Sequence, residues 1–406
     1  MTFTRFSFSF FTLLFAAATA WAQTDVRLLT YNIHRDIGGS DSNISSQPAL
    51  GKVLNYLSPD IWAINELGGN SVTFNLATAH NDLVAFIQQK LTIFGSNPQE
   101  NVNFYIYIST IDDNFDTVAI VSRYPFSSKQ TFSDASAGFS AERGLARASV
   151  LLPDGNVIDV FTAHLKALST TSDASQRQSE ADADSANVAT WIAGHHGDAV
   201  AVTGDWNETE DPGEPANWSG HHIGDMLRRP SEPYHPITTM KGAGLLDPKP
   251  LSIAGRQDTI DSATPDARFD YTMYAGSRWI SGQVFDTKQY TSTQLASLNS
   301  AAGTNFAAGD SASASDHLPV FSILRVGIKP QITAIVSGNG NIAITYQALI
   351  SPFVTYSVQQ SSDLTNWMPV AATNQTLNQT SDTRTVQSTV NVAAAPLFFR
   401  VAATVN

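Results

Sequence analysis

The chain has 406 residues, 42% of them hydrophobic and only 15% charged, which is enough apolar material for one large core or two and too little charge for a disordered chain. A formal charge of −13 disfavours a broad electrostatic grip on polyanions, although a local acidic site that takes up a divalent metal reverses its own sign. The absence of cysteine excludes disulfides, thiolate zinc sites and cysteine nucleophiles together.

The N-terminus carries Arg5, an apolar run from Phe6 to Ala20, and the small-x-small triplet Ala20-Trp21-Ala22. This pattern predicts a secretory signal over residues 1–22, cleaved after Ala22, and hence a periplasmic or released protein. The run is short and interrupted by serine, which argues against a membrane anchor.

From Val26 onward, strand-length runs rich in β-branched residues alternate with helical or polar stretches: Val26–Tyr31, Ile61–Asn65, Val118–Val121, Val157–Ala163 and Ala199–Thr203. Helical patterns lie at Asn81–Leu91 and Ser175–Ala193, so residues 23–327 read as an α/β domain with helices covering its sheets. Composition shifts at Arg325–Pro330. Residues 328–406 then show strand-like runs at Gln331–Val336, Asn341–Tyr346, Thr355–Gln360, Thr385–Val392 and Leu397–Val401, which predict a small β-sandwich. Trp367, Phe398 and Phe399 are expected to fill its core. The segment Tyr356–Trp367, closing with Phe398–Val401, resembles a small β-domain appended to many secreted bacterial proteins.

Polar residues recur where the strands of the first domain end. Asn32, Glu66, His164, Asp205 and Asn207 each follow an apolar run, Asp270 precedes Tyr271–Tyr274, and Asp316-His317 precedes the apolar stretch from Leu318. Strand ends converge in α/β folds, so the series predicts one site. Its carboxylates and amides suit a hard divalent cation, Mg²⁺ or Mn²⁺, and two histidines allow a base and an acid. That set fits hydrolysis of a phosphate ester, where positioning and charge neutralisation matter more than a nucleophilic side chain. Alone, each residue has a plainer reading: asparagine as a turn former, an acid as a cap, an arginine as a surface charge. The histidines at 34, 195–196 and 221–222 lie in loop contexts and are not expected to ligate metal.

The ordered motifs Leu29-Thr30-Tyr31-Asn32-Ile33, Ile64-Asn65-Glu66, Ala163-His164-Leu165, Thr203-Gly204-Asp205-Trp206-Asn207, Phe269-Asp270-Tyr271 and Ser315-Asp316-His317-Leu318-Pro319 resemble those of the endonuclease/exonuclease/phosphatase superfamily. That superfamily includes DNase I, abasic-site endonucleases, neutral sphingomyelinases and inositol-polyphosphate phosphatases. The resemblance implies a four-layer α/β/β/α sandwich followed by the small all-β domain. It implies Glu66 as principal metal ligand with Asn32 beside it. Asp205 and Asn207 would orient water and phosphate, with Asp205 also implied at a second metal. His317 is implied as general base polarised by Asp270, and Asp316 as a further metal-side carboxylate. His164 is implied at the phosphate or leaving group, as in the DNase I and sphingomyelinase branches rather than the abasic-site enzymes. Arg143 is implied as the phosphate-contacting arginine, with Arg147 its rival, and Lys166 stands nearby. The expected substrate is a phosphate ester: nucleic acid first, a sphingolipid or inositol phosphate second. No stable protein partner is implied, and a non-catalytic binding module is the reading from a different class.

Overall fold

The computed structural model describes residues 24–405 except 43, 71–72, 135–142, 168–170, 195–198, 209–233, 261–266, 328–329, 339, 350–353, 380–382 and 392–397. The signal segment and the histidines at 195–196 and 221–222 lie outside the described residues. In chain order the first unit contains β1 (Thr24–Asn32), α1 (Gln47–Leu57), β2 (Ile61–Gly68), α2 (Leu76–Lys90), β3 (Tyr105–Ile108), β4 (Asp116–Ser122), β5 (Phe126–Phe132), β6 (Leu145–Leu151) and β7 (Val157–His164). It continues through α3 (Thr171–Ala193), β8 (Ala199–Asp205), α4 (Pro236–Lys241), β9 (Asp270–Ala275), β10 (Arg278–Val284), α5 (Ser292–Ala302), α6 (Asp310–Ala314) and β11 (Val320–Val326).

These strands form a six-stranded sheet, β10-β11-β1-β2-β4-β3, and a five-stranded sheet, β5-β6-β7-β8-β9. A dry layer of Val26, Leu28, Ile120, Val160, Ala201 and Leu324, drawn from both sheets, packs them face to face. On the outer face of the first sheet, Leu50, Leu54, Leu83 and Ile87 of α1 and α2 pack on Leu29, Trp62 and Val121. Ala181, Val188 and Met240 of α3 and α4 cover Phe161, Val202 and Met273 of the second. The result is the α/β/β/α sandwich expected from the motifs. Strands buried on both faces read as continuous apolar runs, which is why β1, β2, β7 and β8 were visible in sequence.

Within each sheet, one parallel pair sits among antiparallel neighbours: β1 with β2, and β7 with β8. Register places Asn32 beside Asn65, His164 beside Asp205, and Asp205 beside Asp270 on the antiparallel β9. The side chains of interest therefore end neighbouring strands. Close approach of β7 and β8 requires Gly204, whose φ is +147° and whose added Cβ would lie 2.0 Å from the Ala163 carbonyl oxygen.

The second unit contains β12 (Gln331–Gly338), β13 (Asn341–Leu349), β14 (Val354–Ser361), β15 (Met368–Pro369), β16 (Thr373–Gln379), β17 (Thr383–Asn391) and β18 (Phe398–Val405). They make a four-stranded sheet, β12-β13-β17-β16, and a three-stranded one, β15-β14-β18. Ile344, Tyr346 and Val386 of one meet Tyr356, Val358 and Val401 of the other, a β-sandwich core. Phe399 packs against that core, whereas Trp367 lies outside it beneath Arg400, at 4.4 Å from guanidinium carbon to ring centroid. The expectation that Trp367 fills the core is corrected accordingly.

Several strands escaped the sequence reading, among them β3, β10 and β15; β5 (FSSKQTF) and β16 (TNQTLNQ) did so because both are polar edge strands with no buried face to impose alternation. Helix α2 begins five residues before the periodic stretch, at the Asn75 cap, whose side chain accepts from the Thr78 amide at 3.0 Å.

Asp184 of α3 is fully buried, and neither carboxylate oxygen has a hydrogen-bond partner among the described residues. Burial, reinforced by the charges of Asp134 and Glu180, pushes its carboxyl well above the usual range. Because the folded value exceeds the unfolded one, the stability this group contributes is present at low pH and lost as pH rises through the folded value. Asp184→Asn is expected to raise Tm at pH 8, by roughly 2–4 °C per kcal/mol relieved, and to flatten the decline in Tm from pH 4 to 8. Thermal unfolding across that range checks it, and a lower Tm at pH 8 contradicts it.

Candidate active site

Asn32, at the end of β1, is fully buried and sits at the centre of the cluster. Its side-chain nitrogen donates to Glu66 Oε1 at 3.0 Å and Asp205 Oδ2 at 2.9 Å and lies 3.4 Å from His317 Nε2. Its oxygen accepts the His34 backbone N–H at 3.0 Å. Asn32 thus enters the site beside Glu66, as a donor tying two carboxylates together.

Glu66 reaches the cluster because the β2–β4 pairing shifts register between Ile64 and Leu67 and Glu66 takes φ 57°. A bulge of this kind re-aims one side chain without breaking the strand. Asn207 is held similarly, at φ 48°, with its amide N–H donating to Asp205 Oδ1 at 2.9 Å and its side chain to the Leu165 carbonyl at 3.0 Å. Asn207 therefore orients Asp205 and the chain after β7.

His317 Nδ1 lies 2.8 Å from Asp270 Oδ2, the long-range partner expected from sequence. Its Nε2 faces the cluster, 3.6 Å from Asp205 Oδ2. The Ser315 hydroxyl fixes the approach: it donates to the Asn32 carbonyl at 2.8 Å and accepts the His317 backbone N–H at 3.1 Å. His164 completes the group with Nε2 3.5 Å from Asp205 Oδ2 and 4.0 Å from Glu66 Oε1.

The electrostatics follow from packing this many acids in a dry space. Burial, and then the Asp116 charge, raises the Glu66 carboxyl. Burial raises Asp205 to about 7, with the Asp270 charge adding to it and His317 opposing. His164 is held well below its ordinary value by burial and by the Arg143 charge, so it is neutral at neutral pH. For His317, burial opposes the charge, but Asp270 and Asp205 outweigh it and the imidazole lies well above its ordinary value.

Among the described residues, two groups could hold a metal ion: Glu66, His164 and Asp205, and Asp205, Asp270 and His317, the ligand atoms of each lying within 4.8 Å of one another. The donors fit a divalent cation, since a cation would offset both the burial and the repulsion that raise Glu66 and Asp205. Asp205 belongs to both groups.

Asp316 stands apart. Its side chain is half-exposed, and its Oδ2 faces His34 Nε2 at 3.8 Å, outside both groups. The two neighbours in Asp316-His317 diverge because adjacent residues in extended chain point to opposite sides. Arg143 is also placed differently from expectation. It is buried, with Nε on Asp116 Oδ1 and Nη2 on Asp113 Oδ2, both at 2.7 Å, and Nη1 3.4 Å from the His164 carbonyl. It supports the site from behind His164. Its rival Arg147 lies in a buried network with Asp159 and over the Trp191 ring at 3.8 Å. At Lys166, the backbone N–H donates to Glu180 at 2.6 Å.

Sequence reasoning missed Asp116 and Arg35. Asp116, fully buried at the start of β4, also accepts from Arg35 Nε at 2.8 Å, and that nitrogen is 3.9 Å from Glu66 Oε2. The available signal was the acid ahead of the apolar run Thr117–Val121. One buried carboxylate thus anchors two guanidinium groups. Asp116→Ala is expected to lower the unfolding free energy by about 3–5 kcal/mol, because it removes the buried carboxylate that both guanidinium groups share. Denaturant unfolding measures this, and a loss under about 1 kcal/mol would contradict the assigned role.

No curated protein matches the chain. Solved structures that are similar to it include the following two. An endonuclease/exonuclease/phosphatase from Beutenbergia cavernae DSM 12333 shares 16% identity, with 94% of this chain and 100% of that one covered and a TM-score of 0.46. Truncated Caenorhabditis elegans TDP2 also shares 16% identity, over 75% and 98% of the chains, with a TM-score of 0.43. The sequence profile of the Endonuclease/Exonuclease/phosphatase family matches residues 29–317, a span that runs from β1 to His317 and contains every side chain of the cluster, and the chain belongs to that family.

Proposed function

We propose that this protein is a metal-dependent hydrolase of phosphate esters, a DNase I-like phosphodiesterase in which water attacks phosphorus in line. The observation that carries the reading is the His317 imidazole, bonded through Nδ1 to buried Asp270 and presenting Nε2 to Asp205 and Asn32. This is the arrangement a general base needs: one nitrogen oriented by a carboxylate, the other turned to where a nucleophile is held. Glu66 and Asp205 would hold the cation, Mg²⁺ or Mn²⁺, with His164 beside them. When bound, that cation supplies charge neutralisation at the phosphoryl oxygens.

The chain's own groups account for the rest. His317 takes the proton of the attacking water. With a cation held by Glu66 and Asp205, the Asp205 charge that, after Asp270, raises His317 would be offset and the imidazole left freer to act as base. His164, kept neutral by burial, donates a hydrogen bond to a phosphate oxygen rather than carrying a proton to the leaving group. Asn207 keeps Asp205 in place. A nucleic acid is the first choice of substrate. The N-terminal run Phe6–Ala20 supports export of the protein.

The test is turnover of plasmid DNA, single-stranded DNA, RNA, sphingomyelin and bis-p-nitrophenyl phosphate, each with Mg²⁺ and with EDTA. Metal-dependent cleavage of a diester is expected, and His317→Ala should lower kcat by about 10²–10⁴-fold with the fold retained. Turnover of no substrate, or full activity in the variant, would overturn the reading.

A further inference from the structure

Phe115 keeps 42% of its surface in solvent although it borders the buried cluster: its neighbour Asp116 is fully buried. Arg35 links the ring to the site. Its guanidinium carbon lies 5.7 Å from the Phe115 centroid, its Nε donates to Asp116, and the same nitrogen is 3.9 Å from Glu66. The ring therefore stands one guanidinium away from the carboxylates proposed to hold the cation.

The backbone under this ring is held from both sides. Its N–H donates to Asp113 Oδ1 at 2.9 Å, and its carbonyl accepts the Gly69 N–H at 3.1 Å. An added Cβ at Gly68 would lie 2.1 Å from the Phe115 oxygen, so the approach of these chains depends on glycine there. His34 and Arg35, at φ 50° and 59°, form a turn in left-handed backbone that delivers the guanidinium. Strain that aims a cation at an exposed ring beside a catalytic cluster points to a ligand.

A chain of formal charge −13 gains little from general attraction to a polyanion, so affinity for a nucleotide has to come from another source. Base stacking on an aromatic ring supplies it and is tolerant of sequence. We propose that Phe115, pinned by Arg35, is a stacking ledge for the base of the nucleotide adjoining the scissile phosphate, and that the substrate is single-stranded nucleic acid or a nucleotide. Bases within a duplex are stacked on each other and offer no free face without unstacking. The inference rests on the phosphodiesterase reading for its substrate, but the ledge can be tested without turnover.

The experiment measures binding of thymidine monophosphate and of deoxyribose 5-phosphate, with Mg²⁺, to the full chain and to Phe115→Ala and Phe115→Trp. The wild type should prefer the base-bearing ligand by about 5- to 150-fold, Phe115→Ala should bring that ratio close to one, and Phe115→Trp should keep it. In parallel, the ratio of kcat/KM for a single-stranded oligonucleotide over an abasic strand of equal length should fall by a similar factor in Phe115→Ala. Equal or absent binding of both ligands by the wild type, an unchanged ratio in Phe115→Ala, or a preference for duplex or for lipid vesicles would each overturn the ledge. Base-selective binding without diester cleavage would uphold the ledge and refute the hydrolase reading instead.

Discussion

Four carboxylates, those of Glu66, Asp116, Asp205 and Asp270, meet in a largely dry space where two sheets abut, and the architecture around them is organised by the need to offset that charge. Their partners are guanidinium, imidazole and amide groups. Asp116 is held by Arg35 and Arg143, Asp270 by His317, and Asp205 by the amides of Asn32 and Asn207. Glu66 shares the Asn32 donor and keeps 18% of its side chain exposed, so it is the acid with an open side. Burial, with repulsion added to it, raises the carboxyls of Glu66 and Asp205. Theirs is the charge the proposed cation would offset.

Strain is concentrated in the same place. Glu66 and Asn207 both adopt left-handed backbone immediately after, or within, the strand ends that carry the cluster, and His34 and Arg35 do so two residues beyond Asn32. Such conformations persist only where surrounding contacts over-determine them. Here those contacts are hydrogen bonds of the site itself: the His34 amide to Asn32, the Asn207 amide to Asp205, and the Arg35 amide to the Glu66 carbonyl at 3.1 Å. Binding geometry and backbone conformation are therefore one constraint, and a substitution at Asn32 or Asp205 would loosen the turns as well as the cluster.

Much of this was legible in sequence, for a physical reason. Strands of the inner sheets are buried on both faces, so β1, β2, β7 and β8 stand out as apolar runs, and the polar residues that end them are exceptions a reader can see. The pairing of Asp270 with His317 was implied by the family resemblance of the ordered motifs. The parts that were not readable depend on direction and on unremarkable neighbours. Asp316 follows the same motif as His317, yet its side chain turns out toward His34. Arg143 has the sequence context of a substrate contact, but two acids 27 and 30 residues upstream in the chain, Asp116 and Asp113, claim its guanidinium. Arg35 and Asp116 precede or follow motifs rather than lie in them. The edge strands β5 and β16 lacked the alternation that burial imposes.

The central claim is that Asp205, shared by both metal-competent groups, is the residue on which the proposed cation binding turns, while Asp316, the neighbour of His317, is peripheral. Calorimetric titration of Mn²⁺ into the wild type, Asp205→Asn and Asp316→Asn tests this most directly. The account predicts binding abolished in Asp205→Asn and kept within a few-fold in Asp316→Asn; retained binding in the first, or loss of binding in the second with Asp205→Asn unaffected, would contradict it.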